Sequence, residues 1–232
     1  MTTAFYITPK IFMTTESDTL ITQIQPVKAQ NIDVLPSSYI QIEDFLTAEE
    51  HQLLLNYVLD RELQFVVTTT STNEMNYRQS KVLYSFPEFS ELITTRIKSL
   101  VPDVVNRLGL PSFPITYIES QLTAHNDGNY FKIHNDNGSP ETSLREITYV
   151  YYFHQEPKQF SGGELLIYDS KIINNFYVNS ESFTTIEPRN NSIVFFLSRY
   201  LHEVLPVNCH SQVFADSRFT INGWVNRAAN SV

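Results

Sequence analysis

The stretch REITYVYYFH, residues 145–154, holds three β-branched and four aromatic residues in ten. A short run of this texture, closed by Pro157 and the Gly162–Gly163 pair, reads as a β-strand rather than a helix segment. Working outward, ITYIESQLTAH (115–125), GGELLIYDS (162–170), NSIVFFLS (191–198) and RFTINGWV (218–225) share it. Gly, Asn, Pro and Ser clusters separate them, and no long helical period returns. Short strands at this spacing predict a mostly antiparallel sandwich or jelly roll over residues 111–232.

The texture before residue 111 is helical. In TAEEHQLLLNYVLD (47–60), Thr47 and Glu50 stand at capping-box spacing, and Leu53, Leu54, Tyr57 and Val58 are predicted to form one apolar face. A second helix is predicted from Phe89 to Leu108, carrying Leu92, Ile93, Ile97, Leu100, Val104 and Val105, with Gly109 as its stop and Pro102 breaking or kinking it. Residues 1–35 show no helical period and read as an N-terminal extension. The expected organisation is therefore α+β: an extension (1–35), a helical support layer (36–110) and a β core (111–232), the last two forming one integrated domain. Two polar stretches, 66–80 and 170–182, read as loops long enough to act as lids.

Composition limits the function. Twenty-five acidic residues against sixteen basic ones give a net charge of -9, which argues against nucleic acid as a partner. The single cysteine, Cys209, excludes an intrachain disulfide. No apolar run is long enough for a membrane span, and the first residues lack a signal-peptide pattern, so a cytoplasmic location is expected.

In YFKIHNDNGSP (130–140), His134 stands two residues before Asp136. On a strand such residues share a face, so one imidazole nitrogen and one carboxylate oxygen can converge on an ion. Two ligands hold a metal poorly, and a third must come from a distant strand. Two histidines and one carboxylate on one face of an octahedron leave three open positions, the pattern of non-haem iron(II) oxygenases. The candidates are His51, His125, His154, His202 and His210. His202 follows the apolar SIVFFLS and precedes EVLPV, a dry and rigid support.

Four ordered segments, HND (134–136), SGGELLIYD (161–169), NSIVFFLSRYLHEVLPV (191–207) and RFTINGWV (218–225), resemble the prolyl 4-hydroxylase-like branch of the 2-oxoglutarate- and iron(II)-dependent dioxygenases. The resemblance spans about residues 115–227. It implies a double-stranded β-helix, a jelly roll with the N-terminal helices packed on its major sheet. Iron would be held by His134, Asp136 and His202, with no catalytic residue separate from that centre. Arg218 would pair with the 5-carboxylate of 2-oxoglutarate, helped by Tyr152. His125 stands where many relatives carry a pocket tyrosine. Strand alternation would place Thr220, Asn222 and Trp224 beside Arg218, and Arg145 and Trp224 fall where relatives can meet substrate.

The implied activity is hydroxylation of an unactivated C–H bond with Fe(II), 2-oxoglutarate and O2, with ascorbate as a reductant. The implied substrate is a prolyl or other residue of a peptide or protein, with a free amino acid or small metabolite as the alternative. A reading of another class is a non-catalytic, metal-binding jelly-roll sensor or binding module.

Overall fold

The computed structural model describes residues 34–68, 76–173 and 176–229, so most of the expected extension, and residues 69–75 of the first expected lid, lie outside the described residues. The chain runs β1 (Tyr39–Ile42), α1 (Ala48–Leu59), β2 (Val66–Val67), β3 (Arg78–Gln79), β4 (Lys81–Leu83), α2 (Pro87–Arg107), β5 (Ile115–His125), β6 (Tyr130–His134) and β7 (Arg145–Phe153). It continues through β8 (Ser161–Gly162), β9 (Leu165–Ile173), β10 (Phe176–Ile186), β11 (Ser192–Leu197), β12 (His202–Val204), β13 (Val207–Asn208) and β14 (Arg218–Arg227). A seven-stranded sheet has the order β1-β11-β7-β14-β5-β4-β2, and a five-stranded sheet the order β10-β9-β12-β6-β3. The pairings are antiparallel throughout. The sheets face each other, since Val150, Tyr152 and Phe196 of the larger share one buried cluster with Leu165, Ile167 and Ile186 of the smaller.

Strand β7 shows how period-two alternation builds two cores at once. Ile147, Tyr149, Tyr151 and Phe153 enter a large cluster with Leu54, Val58, Ile93, Ile97 and Val104 of the helices. Thr148, Val150 and Tyr152 point the other way, into a cavity between the sheets. Both faces of β7 are covered, which accounts for its lack of polar alternation.

Helix α1 starts as its capping box requires: Glu50 N–H donates to Thr47 Oγ1 at 3.2 Å, and Thr47 N–H donates to Glu50 Oε2 at 2.8 Å. Its buried face is Leu54, Leu55 and Val58, whereas Leu53 is exposed. The apolar stripe is thus turned by one position from the expected one.

Two further expectations are corrected. Helix α2 is one continuous element from Pro87 to Arg107, so Pro102 does not break it in two. Pro102 and Lys98, whose carbonyl loses its helical partner, both lie on the exposed face, so the freed carbonyl is on the solvent side of the helix. Of the stretch 170–182, read as a lid loop, residues 174–175 lie outside the described residues, and 170–173 and 176–182 lie in the antiparallel strands β9 and β10, with Lys171 opposite Val178 and Ser170 opposite Asn179. In the other expected lid, residues 66–67 and 78–79 are strands β2 and β3. Among the described residues no helix is long and apolar enough to cross a membrane.

Candidate metal centre and cosubstrate pocket

Strand β6 ends at His134 and β12 begins at His202, and the ladder sets these two residues directly opposite one another. Their ring centroids are 4.2 Å apart. Between Val204 and His202 the register against β6 shifts by one residue. An extra residue of this kind re-aims side chains. Phe131 thereby shares the face of His134, and its ring stacks on the imidazole at 3.6 Å.

Asp136 does not lie on the strand with His134, as the alternation argument supposed, but in the bend just beyond it. Its N–H donates to the Ser198 carbonyl at 2.9 Å, which brings its carboxylate back over the two imidazoles. One ligand atom from each of His134, Asp136 and His202 lies within 4.8 Å of the others.

Hydrogen bonds fix the protonation pattern. His134 Nδ1 is 2.7 Å from the Lys132 carbonyl, and His202 Nδ1 is 2.9 Å from the Tyr200 carbonyl. A carbonyl only accepts, so each Nδ1 carries the proton and each Nε2 presents its lone pair to the centre. The Nε2 atoms lie 3.8 Å and 3.4 Å from the two oxygens of Asp136. Burial, then His202, pushes the His134 pKa down to about 3, although Asp136 pulls the other way. Burial opposes ionisation of Asp136, but His202, His134 and hydrogen bonding outweigh it and lower its pKa. Thr148 Oγ1 donates to Asp136 Oδ2 at 2.7 Å and also contacts Ser198 Oγ at 3.0 Å. The donor set is two imidazole Nε2 atoms and one anchored carboxylate, which fits a divalent transition metal.

The same cavity extends to Arg218, which is buried at 2% exposure. The glycine pair before β9 makes room for it: a Cβ on Gly163 would lie 2.6 Å from Arg218 Cδ. The β14–β5 register sets Arg218 opposite His125, with Nη1 at 3.4 Å from His125 Nδ1. A guanidinium only donates, so this Nδ1 is the acceptor and Nε2 of His125 carries the hydrogen. Burial first, then Arg218 and Arg78, holds the His125 pKa well below the ordinary imidazole value. Burial pushes the Tyr152 pKa up to about 12, against the pull of Arg218. Arg218 acts on this phenol across a short gap without reaching hydrogen-bonding geometry, its guanidinium carbon 4.9 Å from the ring centroid.

His125 Nε2, the Tyr152 hydroxyl and Arg218 Nε are thus three buried donors with no acceptor among the described residues. Buried donors are rarely left so. A carboxylate, which accepts through both oxygens, fits them.

Thr220, Asn222 and Trp224 line the cavity with Arg218, and Thr123 Oγ1 fixes Asn222 by donating to Oδ1 at 3.0 Å. Arg145 stands outside this lining. Its Nε and Nη2 donate to Glu119 at 2.9 Å and 2.6 Å, and its guanidinium carbon lies 3.6 Å over the Trp224 ring. The other histidines are elsewhere: His51 contacts Asn190, His154 is buried with Nδ1 on the Gln155 carbonyl, and His210 is exposed. Arg78, on β3, lines the cavity and was not foreseen. A two-residue strand inside a polar stretch carries no periodicity by which to find it.

Residues 120–226 match the family model of the 2OG-Fe(II) oxygenase superfamily. The chain is 49% identical over 198 residues to an uncharacterized PKHD-type hydroxylase of Synechocystis sp., a match covering 84% of the chain and 65% of that relative. The chain therefore spans less than two thirds of the relative's length. Among solved structures it resembles a Pseudomonas putida prolyl-4-hydroxylase, with a TM-score of 0.60 and 18% identity over 83% of this chain and 94% of that one. A prolyl hydroxylase from Trichoplax adhaerens, in complex with a hypoxia inducible factor peptide fragment, gives a TM-score of 0.62 and 21% identity over 82% and 84% of the respective chains. At these identities the likeness is one of fold: mostly antiparallel sheet with two helices, the jelly roll of 2OG oxygenases.

Proposed function

We propose that this chain is an iron(II)- and 2-oxoglutarate-dependent dioxygenase that hydroxylates an unactivated C–H bond on a residue of a peptide or protein. The observation that carries the reading is one cavity with two devices. At one end stand three open ligands, and at the other three buried donors without acceptors. A structural metal site has no use for the second device.

In this reading His134 Nε2, His202 Nε2 and the Asp136 carboxylate hold iron. Arg218, Tyr152 and His125 hold the distal carboxylate of 2-oxoglutarate. Bound iron, 2-oxoglutarate and O2 supply the oxidising power, and a C–H bond becomes C–OH while the cosubstrate leaves as succinate and carbon dioxide.

The chain's own work is positioning and exclusion. Carbonyls behind both imidazoles keep them in one tautomer, and Thr148 fixes the carboxylate. Tyr152, its pKa pushed up to about 12, stays protonated and donates. Val150, Leu165, Val204 and Phe131 line the cavity with apolar surface that displaces water. Ascorbate as a reductant belongs to the same proposal. A prolyl residue is the substrate named for the two structural relatives, and it is the first to try.

The test is anaerobic titration of metal-free protein with Fe(II) and 2-oxoglutarate, watching for the visible charge-transfer band of the chelate. Oxygen is then admitted and succinate measured. The expected result is a band, with succinate formation lost in His202→Ala. Arg218→Ala should raise the 2-oxoglutarate requirement steeply at unchanged metal content. No band and no succinate would favour the binding-module reading.

A further inference from the structure

The pocket contains a second guanidinium that the reading above leaves without a role. Arg78, on the edge strand of the five-stranded sheet, lines the same cavity as Asp136, His125 and Arg218. Its Nε donates to Ser80 Oγ at 3.0 Å, and Nη2 donates to Gln121 Oε1 at 3.3 Å and marginally to Thr123 Oγ1 at 3.5 Å. Its guanidinium carbon lies 4.9 Å from the centroid of the Phe131 ring that stacks on His134.

Every hydrogen-bond acceptor of Arg78 among the described residues is neutral. Burial lowers its pKa to about 10, which leaves it charged at neutral pH. A shielded charge with only neutral partners is an incomplete pair.

Nearby charges do not complete it. Asp136 acts on Arg78 but is committed to the metal ligands, and Tyr84 is an exposed phenol. Glu164 acts on Arg218, and Glu119 is tied to Arg145. His125 is neutral. In the loaded site, ferrous iron and Arg218 are balanced by Asp136 and the two carboxylates of 2-oxoglutarate. Arg78 is left over.

We propose that Arg78 selects a substrate bearing a carboxylate close to the C–H bond that is oxidised. This rests on the oxygenase reading and narrows it to an anionic substrate. The carboxylate is that of an acidic side chain in a peptide, or the α-carboxylate of a free amino acid. The side chain suits the task because Ser80 and Gln121 hold Nε and Nη2 while no hydrogen bond among the described residues engages Nη1, whose N–H groups can donate to a carboxylate oxygen.

The experiment uses the full chain loaded anaerobically with Fe(II) and 2-oxoglutarate, as wild type, Arg78→Gln and Arg78→Lys. The probes are matched pairs: free L-amino acids against their amides, and capped peptides containing Asp or Glu against the same peptides with Asn or Gln. Perturbation of the visible chelate band reports binding next to the iron.

In the wild type, carboxylate members of one of the two sets should act at concentrations about tenfold or more below their amide partners, and which set responds identifies the source. Arg78→Gln should abolish that preference with an unchanged 2-oxoglutarate titration, and Arg78→Lys should keep part of it. The proposal is overturned if no carboxylate member outperforms its amide in the wild type. It is also overturned if Arg78→Gln weakens 2-oxoglutarate binding itself, which would place Arg78 on the cosubstrate. A wild type that gives no chelate band defeats the oxygenase reading and this inference together. A band without carboxylate preference defeats this inference alone.

Discussion

The Tyr149 hydroxyl donates to the backbone carbonyl of Glu119 at 2.7 Å, reaching across the strand that separates them. It passes over Gly223, the residue of β14 in register with both Tyr149 and Ser120. A Cβ there would stand 1.9 Å from the Glu119 carbonyl oxygen and 2.5 Å from the phenolic oxygen. The glycine of RFTINGWV is therefore required by a side chain from a neighbouring strand.

Gly223→Ala is expected to destabilise the fold by about 1–3 kcal/mol through this overpacking. Tyr149→Phe, which removes only the hydrogen bond, should cost about 0.5–1.5 kcal/mol. Urea unfolding of both variants checks the order. If Gly223→Ala matches the wild type, the packing account is wrong.

Gly163→Ala acts on the pocket. Its positive φ of +72° already disfavours alanine, and the added carbon presses on Arg218. Affinity for 2-oxoglutarate, followed by the chelate band, should fall about tenfold or more. Fe(II) binding without cosubstrate should change little, since the iron ligands come from β6, the bend after it and β12. Equal losses in both would show general unfolding.

Thr148→Val removes the hydroxyl that fixes Asp136 while conserving shape. Partners of metal ligands of this kind are worth about 10–100-fold in metal affinity. That fall is expected in calorimetric titration with Mn(II) or Co(II), and Thr148→Ser should restore most of it. Unchanged affinity in the valine variant would leave Thr148 as simple lining.

Alkaline pH should unfold the protein early. Burial raises the pKa of Tyr152 from 10 to about 12 and raises those of Tyr149 and Tyr151 as well. A raised folded pKa means that the folded state holds its protons longer than the unfolded one. The stability is thus complete below pH 10 and is lost as pH climbs through the folded values. Circular dichroism against pH should show a steep loss above about pH 10, with a slope reduced by up to one proton in Tyr152→Phe. An identical slope in that variant would contradict the burial of its hydroxyl.

Sequence patterns disclosed what repeats or what caps. The strand texture of β7, the Thr47–Glu50 box and the apolar approach to His202 are all local, and each was legible. The bend that returns Asp136, the reach of Tyr149 over Gly223 and the turn of α1 that exposes Leu53 depend on partners distant in the chain. Pro102 misled because the cost of a proline depends on which face loses its hydrogen bond. The end of β9 and the strand β10 were hidden by a polar composition, which β10 tolerates as an edge strand. Arg78 was invisible for a related reason: its two-residue strand is defined only by the β6 residues beside it.

The pairing of His134 with His202 makes the ladder between β6 and β12 a measuring device. A slip by one residue would turn an imidazole to the opposite face of the sheet and empty a coordination position, with no ligand residue altered. Inserting or deleting a single residue between Phe131 and His134 would be as damaging to metal uptake as replacing a histidine, so the spacing of this short strand is under the same constraint as the ligands themselves.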